Sequence, residues 1–274
     1  LRTTLHGFTT EDLATTDIRG PVRNGFGMAF APRTSIDIRL TRQWHLFWAY
    51  GLGFRSVQAR SLSEGERVPL QKAHSTEIGV RLRLRGWIES SFALFGTYVD
   101  QELIFDHATA SNLYAGASWR FGGEWNVRLR LFFRWLWLDS SVTYSEGRFA
   151  TNGAPVPFAP RLLMRQGLVA RWRSSSGFWR FTVGVRGSFL GPRPLPYGLQ
   201  ADPVFLLNAM ARVSAGRVFV RIDARNLLNT QWKDGQFVYS SAFHREDGLQ
   251  KLPQLHYTAG TPFEVFITLG LHLF

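Results

Sequence analysis

The feature that most constrains this chain is strict alternation of apolar and polar residues over segments of about ten. From Glu77 the apolar set is Ile78, Val80, Leu82, Leu84 and Ile88, interleaved with Gly79, Arg81, Arg83 and Arg85. From Asn126 it is Val127, Leu129, Leu131, Phe133, Trp135 and Trp137, against Arg128, Arg130 and Arg134. Trp179, Phe181, Val183, Val185 and Phe189 alternate with Arg180, Thr182, Arg186 and Ser188, and Val218, Val220 and Ile222 with Arg217, Arg221, Asp223 and Arg225. Successive side chains of a strand point to opposite faces, so each segment has one greasy face and one Arg-rich face. Soluble strands usually stop at about five or six residues, whereas roughly ten tilted residues cross the apolar band of a bilayer. A one-residue slip at Glu77 would aim Arg81, Arg83 and Arg85 at lipid, on the order of 10 kcal/mol at roughly 2–4 kcal/mol each. Register is therefore fixed.

The pattern predicts an all-β fold, an antiparallel transmembrane β-barrel segment of about 12 meandering strands. They are expected near 1–8, 34–42, 44–53, 76–87, 89–99, 111–121, 124–138, 161–173, 177–189, 203–213, 217–227 and 263–274. Tight turns are expected near Arg42-Gln43, Trp87-Ile88, Gly122-Gly123, Ser174-Ser175-Ser176 and Ala215-Gly216, where Gly and Ser supply turn chemistry. Long connections at 9–33, 54–75, 100–110, 139–160, 190–202 and 228–262 take turns with them. Outer-membrane barrels keep short turns on the periplasmic side and long loops outside, so all the long segments fall on one side and the last strand ends in the periplasm at Phe274. Leu269, Leu271 and Leu273 share the lipid face, which gives Phe274 the opposite parity.

Composition narrows the alternatives. Lys+Arg 32 against Asp+Glu 20 leaves a net charge of +12, but the arginines are spread singly along apolar stretches, which argues against nucleic acid as a partner. Aromatic residues are 15% of the chain, more than a soluble sandwich could bury beside so many Arg. Cys is 0, excluding disulfides and thiol chemistry. No run of about 18 apolar residues provides a membrane helix, and a mean hydropathy of −0.10 suits a wall with one polar face. No fixed-period repeat suggests a propeller. The sequence begins at Leu1 without a signal peptide and is read as a truncated or processed piece. The domain expectation is one incomplete unit, 1–274, the C-terminal portion of a barrel.

Several segments resemble the C-terminal half of TonB-dependent outer-membrane receptors. Ala49-Tyr50-Gly51-Leu52-Gly53-Phe54-Arg55, followed by Ala59-Arg60, resembles the family's strand end before a long loop, and Glu77-Ile78-Gly79-Val80-Arg81 its next strand. Glu102 through Phe105-Asp106, then Trp119-Arg120-Phe121-Gly122-Gly123-Glu124, resembles its acidic-aromatic loop and turn. Asn226-Leu227-Leu228-Asn229 with Trp232, and Pro262 before the last strand, resemble its C-terminal segment. Leu228 and Asn229 replace the usual Phe and Asp, and Phe263 stands where the family often has Arg. The resemblance implies part of a wall of about 22 strands around a plugged lumen, in the bacterial outer membrane. It also implies import of a scarce substrate such as a ferric siderophore or other metal chelate, with partners in the lipid bilayer, the protein's own plug domain and, through the plug, TonB. A complete small barrel acting as a passive pore or adhesin is the alternative.

Candidate binding residues fall in two groups. Arg81, Arg83, Arg128 and Arg130 belong to a lumen set with Arg39, Arg85, Arg134, Arg165, Arg171, Arg180, Arg186, Arg221 and Arg225, beside Asp37, Glu77, Glu124 and Asp223. They form either a basic conduit for an anionic substrate or ion pairs with the plug and neighbouring strands. Loop 228–262 carries Trp232, Phe237, Tyr239, Phe243, His244, His256 and Tyr257, which suit an aromatic ligand or the packing of a folded loop. Trp44, Trp48, Tyr50, Trp87, Trp119, Trp125 and Trp172 read as interfacial girdles. No cofactor or metal site is expected, since the 7 His lack metal-ligand spacing. No enzyme is expected either, as Ser240, His244 and Asp247 come together only if parity is ignored.

Overall fold

A computed structural model describes residues 2–12, 23–56, 70–84, 86–106, 111–131, 133–241 and 252–272. Twelve strands form one antiparallel sheet in chain order: β1 (Arg2–Asp12), β2 (Arg23–Arg39), β3 (Trp44–Ser56), β4 (Leu70–Leu84), β5 (Ile88–Val99), β8 (Ser118–Arg130), β9 (Leu136–Phe149), β10 (Leu162–Arg173), β11 (Trp179–Leu190), β14 (Val204–Ala215), β15 (Val218–Arg225) and β18 (Glu264–Leu271). Three long connections hold two-stranded hairpins of their own: β6 (Leu103–Asp106) with β7 (Ser111–Tyr114), β12 (Arg193–Pro194) with β13 (Gln200–Ala201), and β16 (Lys233–Ser241) with β17 (Leu252–Ala259). Among the described residues the single helical element is a 3-10 turn at Pro196–Gly198. Short reversals and long connections alternate, so every long one leaves the same end of the sheet.

Register carries the parity across the sheet. Trp48, Ile78, Leu94 and Gly123 stand opposite one another on one face, and on the other Arg83, Glu89, Arg128 and Asp139 follow each other across β4, β5, β8 and β9. Further on, Val185, Ala209 and Ala224 share the apolar face, while Arg186 and Asn208 share the opposite one. Among the described residues no second layer covers the apolar face: Leu269 is 74% and Ile267 69% exposed. A soluble sandwich would bury these side chains against a second sheet. This is a single wall, with a lipid-facing side and an arginine side. Rings gather towards both ends of the lipid side, with Trp44, Trp172 and Trp179 near the short turns and Tyr50, Tyr98 and Trp119 near the long connections. Trp87 differs from the expected girdle, since it lies in the β4–β5 reversal with the Arg130 guanidinium 4.8 Å over its ring.

One predicted turn is misplaced. Gly122-Gly123 lies inside β8, and the chain reverses about ten residues later, where the Leu131 N–H donates to the Leu136 carbonyl. The expected strand 124–138 is therefore two strands, and the expected loop 139–160 begins with most of β9. The reversal also flips parity. Trp137 sits opposite Arg130 on the arginine side, not with the lipid-facing set, and Arg134 and Trp135 belong to the turn. The glycine pair is explained by close approach. Gly122 lies opposite Phe95, and a Cβ there would meet the Phe95 ring and the Tyr144 carbonyl oxygen. Gly79 lies under Phe47 and Gly270 under Phe219 in the same way. An aromatic ring laid over a cross-strand glycine covers its bare backbone and pins register. Arg85, Leu273 and Phe274 are outside the described residues.

Two measurements test the wall. Leu94→Arg, on the lipid side, is expected to cost about 2–4 kcal/mol if near the midplane, whereas Asn126→Arg, on the arginine side, leaves barrel yield nearly unchanged; heat-modifiable migration on gels distinguishes them. Gly122→Val is expected to lower stability by roughly 1–3 kcal/mol through overpacking, read as a lower urea midpoint in bilayers.

Candidate functional site

The long-connection end carries a small folded module. Leu195 and Ala201 of the β12–β13 connection cluster with Val238 of β16, and Phe158 and Leu255 pack against them. The Phe158 N–H donates to the Pro194 carbonyl at 2.7 Å, and the Lys233 ammonium reaches Asp202 at 2.6 Å. Connections from three parts of the chain thus share one hydrophobic cluster.

The base of this module is the Asn226-Leu227-Leu228-Asn229 segment. Asn226 is buried with φ 49°; its amide nitrogen donates to the carbonyls of Thr230 and Thr261, and its amide oxygen accepts from the Thr230 N–H. Asn229, also at positive φ, accepts from the Phe263 N–H at 3.0 Å. Asn tolerates this left-handed conformation better than most residues, so the motif ties the entry of the connection to its exit. Trp232 completes the tie: its indole N–H donates to the Thr261 carbonyl and its ring covers Gly260.

The loop candidates therefore divide. Trp232 holds the base. Tyr239 stacks on His256 with centroids 3.6 Å apart, and His256 bonds the Ser241 hydroxyl at 2.9 Å. Phe237 is half-buried in the same hairpin, and His244 and Phe243 lie outside the described residues. The most exposed rings among the described residues of the module are Tyr257, 60% exposed beneath the Lys233 ammonium, and Tyr197, 67% exposed at φ 60°. Sequence reasoning missed Tyr197; its neighbours Pro196 and Gly198 signal only a turn.

Two carboxylates fasten other connections to the wall. Glu102 accepts from the Ser118 hydroxyl at 2.6 Å and pairs with Arg120 at 2.9 Å, which joins the two halves of the acidic-aromatic segment. Glu146, nearly buried, pairs with Arg148 at 2.8 Å and Arg161 at 3.1 Å. Neither Glu146 nor its partners were singled out from sequence, because their partnership depends on where β9 ends.

On the arginine side, three of the four candidate arginines already have wall carboxylates. Arg81 lies 3.6 Å from Asp37, which also holds His45 at 2.8 Å; Arg83 pairs with Glu89 at 3.0 Å and Arg128 with Asp139 at 2.7 Å. Arg130 makes no ion pair among the described residues and stacks over Trp87. Arg83, Glu89, Arg128 and Asp139 alternate in sign across four strands.

With this geometry in place, comparison with known proteins is direct. The family model described as TonB dependent receptor-like, beta-barrel matches residues 3–227. Among solved structures, the chain is similar to the ferric yersiniabactin uptake receptor FyuA from Yersinia pestis, with TM-score 0.73 and 15% identity over 99% of this chain and 42% of that one. It is also similar to the ferric-catecholate import receptor Fiu from E. coli K12, with TM-score 0.65 and 14% identity over 97% of this chain and 42% of that one. The copper transporter OprC gives TM-score 0.73 at 11% identity, over 98% of this chain and 44% of that one. The chain thus spans about two-fifths of the length of the structures it matches. No curated protein matches it. These likenesses establish the fold, and the family match over most of the chain establishes the kinship: the chain belongs to the TonB-dependent receptors of the bacterial outer membrane and lies within their β-barrel.

Proposed function

We propose that this chain is the C-terminal portion, a single unit over 1–274, of the barrel wall and outer loops of a receptor that imports a scarce substrate, such as a ferric siderophore, across the outer membrane. The observation that carries this reading is the folded loop module with two open tyrosine rings at the long-connection end. A rigid base with exposed rings suits capture of a chelate from outside. Relatives in the fold are named as receptors for ferric yersiniabactin and ferric catecholate, and one as a copper transporter, so a metal chelate is the substrate class favoured for this chain.

The sheet's edges favour a larger barrel over a small closed pore. β1 and β18 lie at opposite ends of the strand order and, among the described residues, do not pair with each other. An unpaired backbone group in hydrocarbon costs several kcal/mol, so further strands are needed to complete the wall. The plug and TonB are the partners this reading requires: the plug would fill the lumen and TonB would supply the work of opening it. Of the candidate residues, Tyr257 and Tyr197 take ligand contact in this proposal, Phe237, Tyr239 and Trp232 hold the module in shape, and His244 lies on the same connection. Arg81, Arg83 and Arg128 keep wall charge balanced; removing such half-exposed pairs should cost only about 0–1 kcal/mol each.

The test is binding of a ferric tris-catecholate to cells displaying the full-length protein. Tyr197→Ala with Tyr257→Ala is expected to weaken binding by about 0.5–1.5 kcal/mol per ring, with unchanged surface expression. Unaltered affinity in this variant, and in one deleted for 235–250, would sink the proposal of loop capture.

A further inference from the structure

On the lipid side, at the long-connection end, β9 carries charge where its neighbours carry rings. The row His74, Tyr98, Trp119 and Arg148 runs across β4, β5, β8 and β9, and the Tyr98 and Trp119 rings lie 4.5 Å apart. Rings in such a row mark the membrane boundary. A count along β9 gives the same level. Ten residues separate Leu136 from Glu146. At roughly 3.4 Å each and a tilt of about 40°, they climb about 26 Å, against an apolar band of about 25 Å. At this level Glu146 accepts from Arg148 at 2.8 Å and from the Arg161 fork, Nε at 3.1 Å and Nη2 at 3.2 Å. Two half-exposed guanidiniums thus share one nearly buried carboxylate, which leaves one positive charge over. Arg148 also donates to the Gly153 carbonyl, a neutral acceptor that does not cancel it. One lipid-side row towards the short turns, the wall is hollow. The missing side chain of Gly123 opens a space of about 610 Å³ lined by Leu94, Phe121, Trp125, Val142 and Tyr144. Tyr144 joins the two features, since its hydroxyl donates to Glu146 at 3.5 Å.

From this arrangement we infer that the lipid side of β5, β8 and β9, at the long-connection end, is a binding site for an anionic acyl lipid of the outer leaflet. The phosphate of its head bonds Arg148 and Arg161, and one of its chains lies in the hollow over Gly123. Fastening the β9–β10 connection accounts for Arg161 on Glu146 and leaves the second guanidinium without a reason. The surplus charge stands at the level of lipid head groups, where a phosphate accepts charge-assisted N–H bonds from a guanidinium. A soluble anion would meet the charge and leave the hollow empty. A neutral lipid would fill the hollow and leave the charge unanswered. An acyl chain and a phosphate in one molecule meet both, at the spacing that Tyr144 bridges. Near the boundary a lipid-side arginine costs the fold little, so the wall can insert with the site empty. The inference rests on the assignment of the lipid side and is independent of ligand capture by the loops.

Native mass spectrometry of the full-length protein in a neutral detergent tests it. The probe is dioleoylphosphatidylglycerol, and a galactolipid with the same chains is the uncharged control. The expected result is preferential retention of phosphatidylglycerol. Arg148→Gln removes the surplus cation and leaves Glu146 held by the Arg161 fork. Gly123→Leu fills the hollow and leaves the charges; a Cβ there comes no closer than 3.3 Å, to the flexible end of Leu94. Each variant is expected to weaken retention about tenfold, through loss of a charge-assisted contact or of chain burial, with heat-modifiable migration unchanged. If one variant fails to insert, the other decides. Equal retention of the two lipids, or retention unchanged in an inserted variant, would overturn the inference. Displacement of phosphatidylglycerol by equimolar inorganic phosphate would overturn it too, because that marks an anion site without a chain.

Discussion

Everything in this structure depends on the match between a period of two and a wall one residue thick. A strand has only two faces, and a single sheet without a second layer gives each face its own solvent. Hydrocarbon on one side demands Ile78, Leu94, Val183 and Ile267; the polar interior permits Arg81, Glu89, Arg128 and Asp139. Among the described residues the wall forms no hydrophobic interior, and the few buried apolar side chains include the cluster of the loop module. The backbone ladder, closed strand to strand, is what lets the sheet stand in lipid at all.

Within that frame the arginine side shows two ways to manage charge. One is internal, a ladder of opposite signs that shares protons' worth of charge between neighbouring strands and asks nothing of other molecules. The other leaves cations side by side, Arg173 opposite Arg180 and Arg212 opposite Arg221. Glycines under Phe47, Phe95 and Phe219 add a third device on the same side, fixing which residues stand opposite and therefore which charges meet.

Much of this was legible in the sequence, and the limits are instructive. Alternation located nine of the twelve wall strands closely, because length and parity are both local, although β2 begins at Arg23, inside the loop expected at 9–33. It failed at Gly122-Gly123, where glycine was read as turn punctuation although its reason is a ring on the neighbouring strand, a contact no local window contains. That single displacement also assigned Trp137 to the wrong face. The Arg212–Arg221 juxtaposition was nearly visible, since these residues flank the Gly216-Arg217 reversal symmetrically, but a turn placed one residue early pairs the wrong partners. The hairpins β6–β7 and β12–β13 escaped notice because their strands are short, and β16–β17 because its patterning is set by the loop cluster, not by lipid. The resemblance at Asn226-Leu227-Leu228-Asn229 identified a meaningful segment without revealing its work, which is to clamp both ends of a connection through one buried amide.

The separation between that clamp and the wall has an evolutionary consequence. Because the outer connections are organised around Leu195, Ala201 and Val238 and enter through a fixed asparagine tie, their surfaces can diversify without disturbing strand pairing below. The outer surface and the membrane-spanning wall are then free to change separately, one varying while the other keeps the same staves.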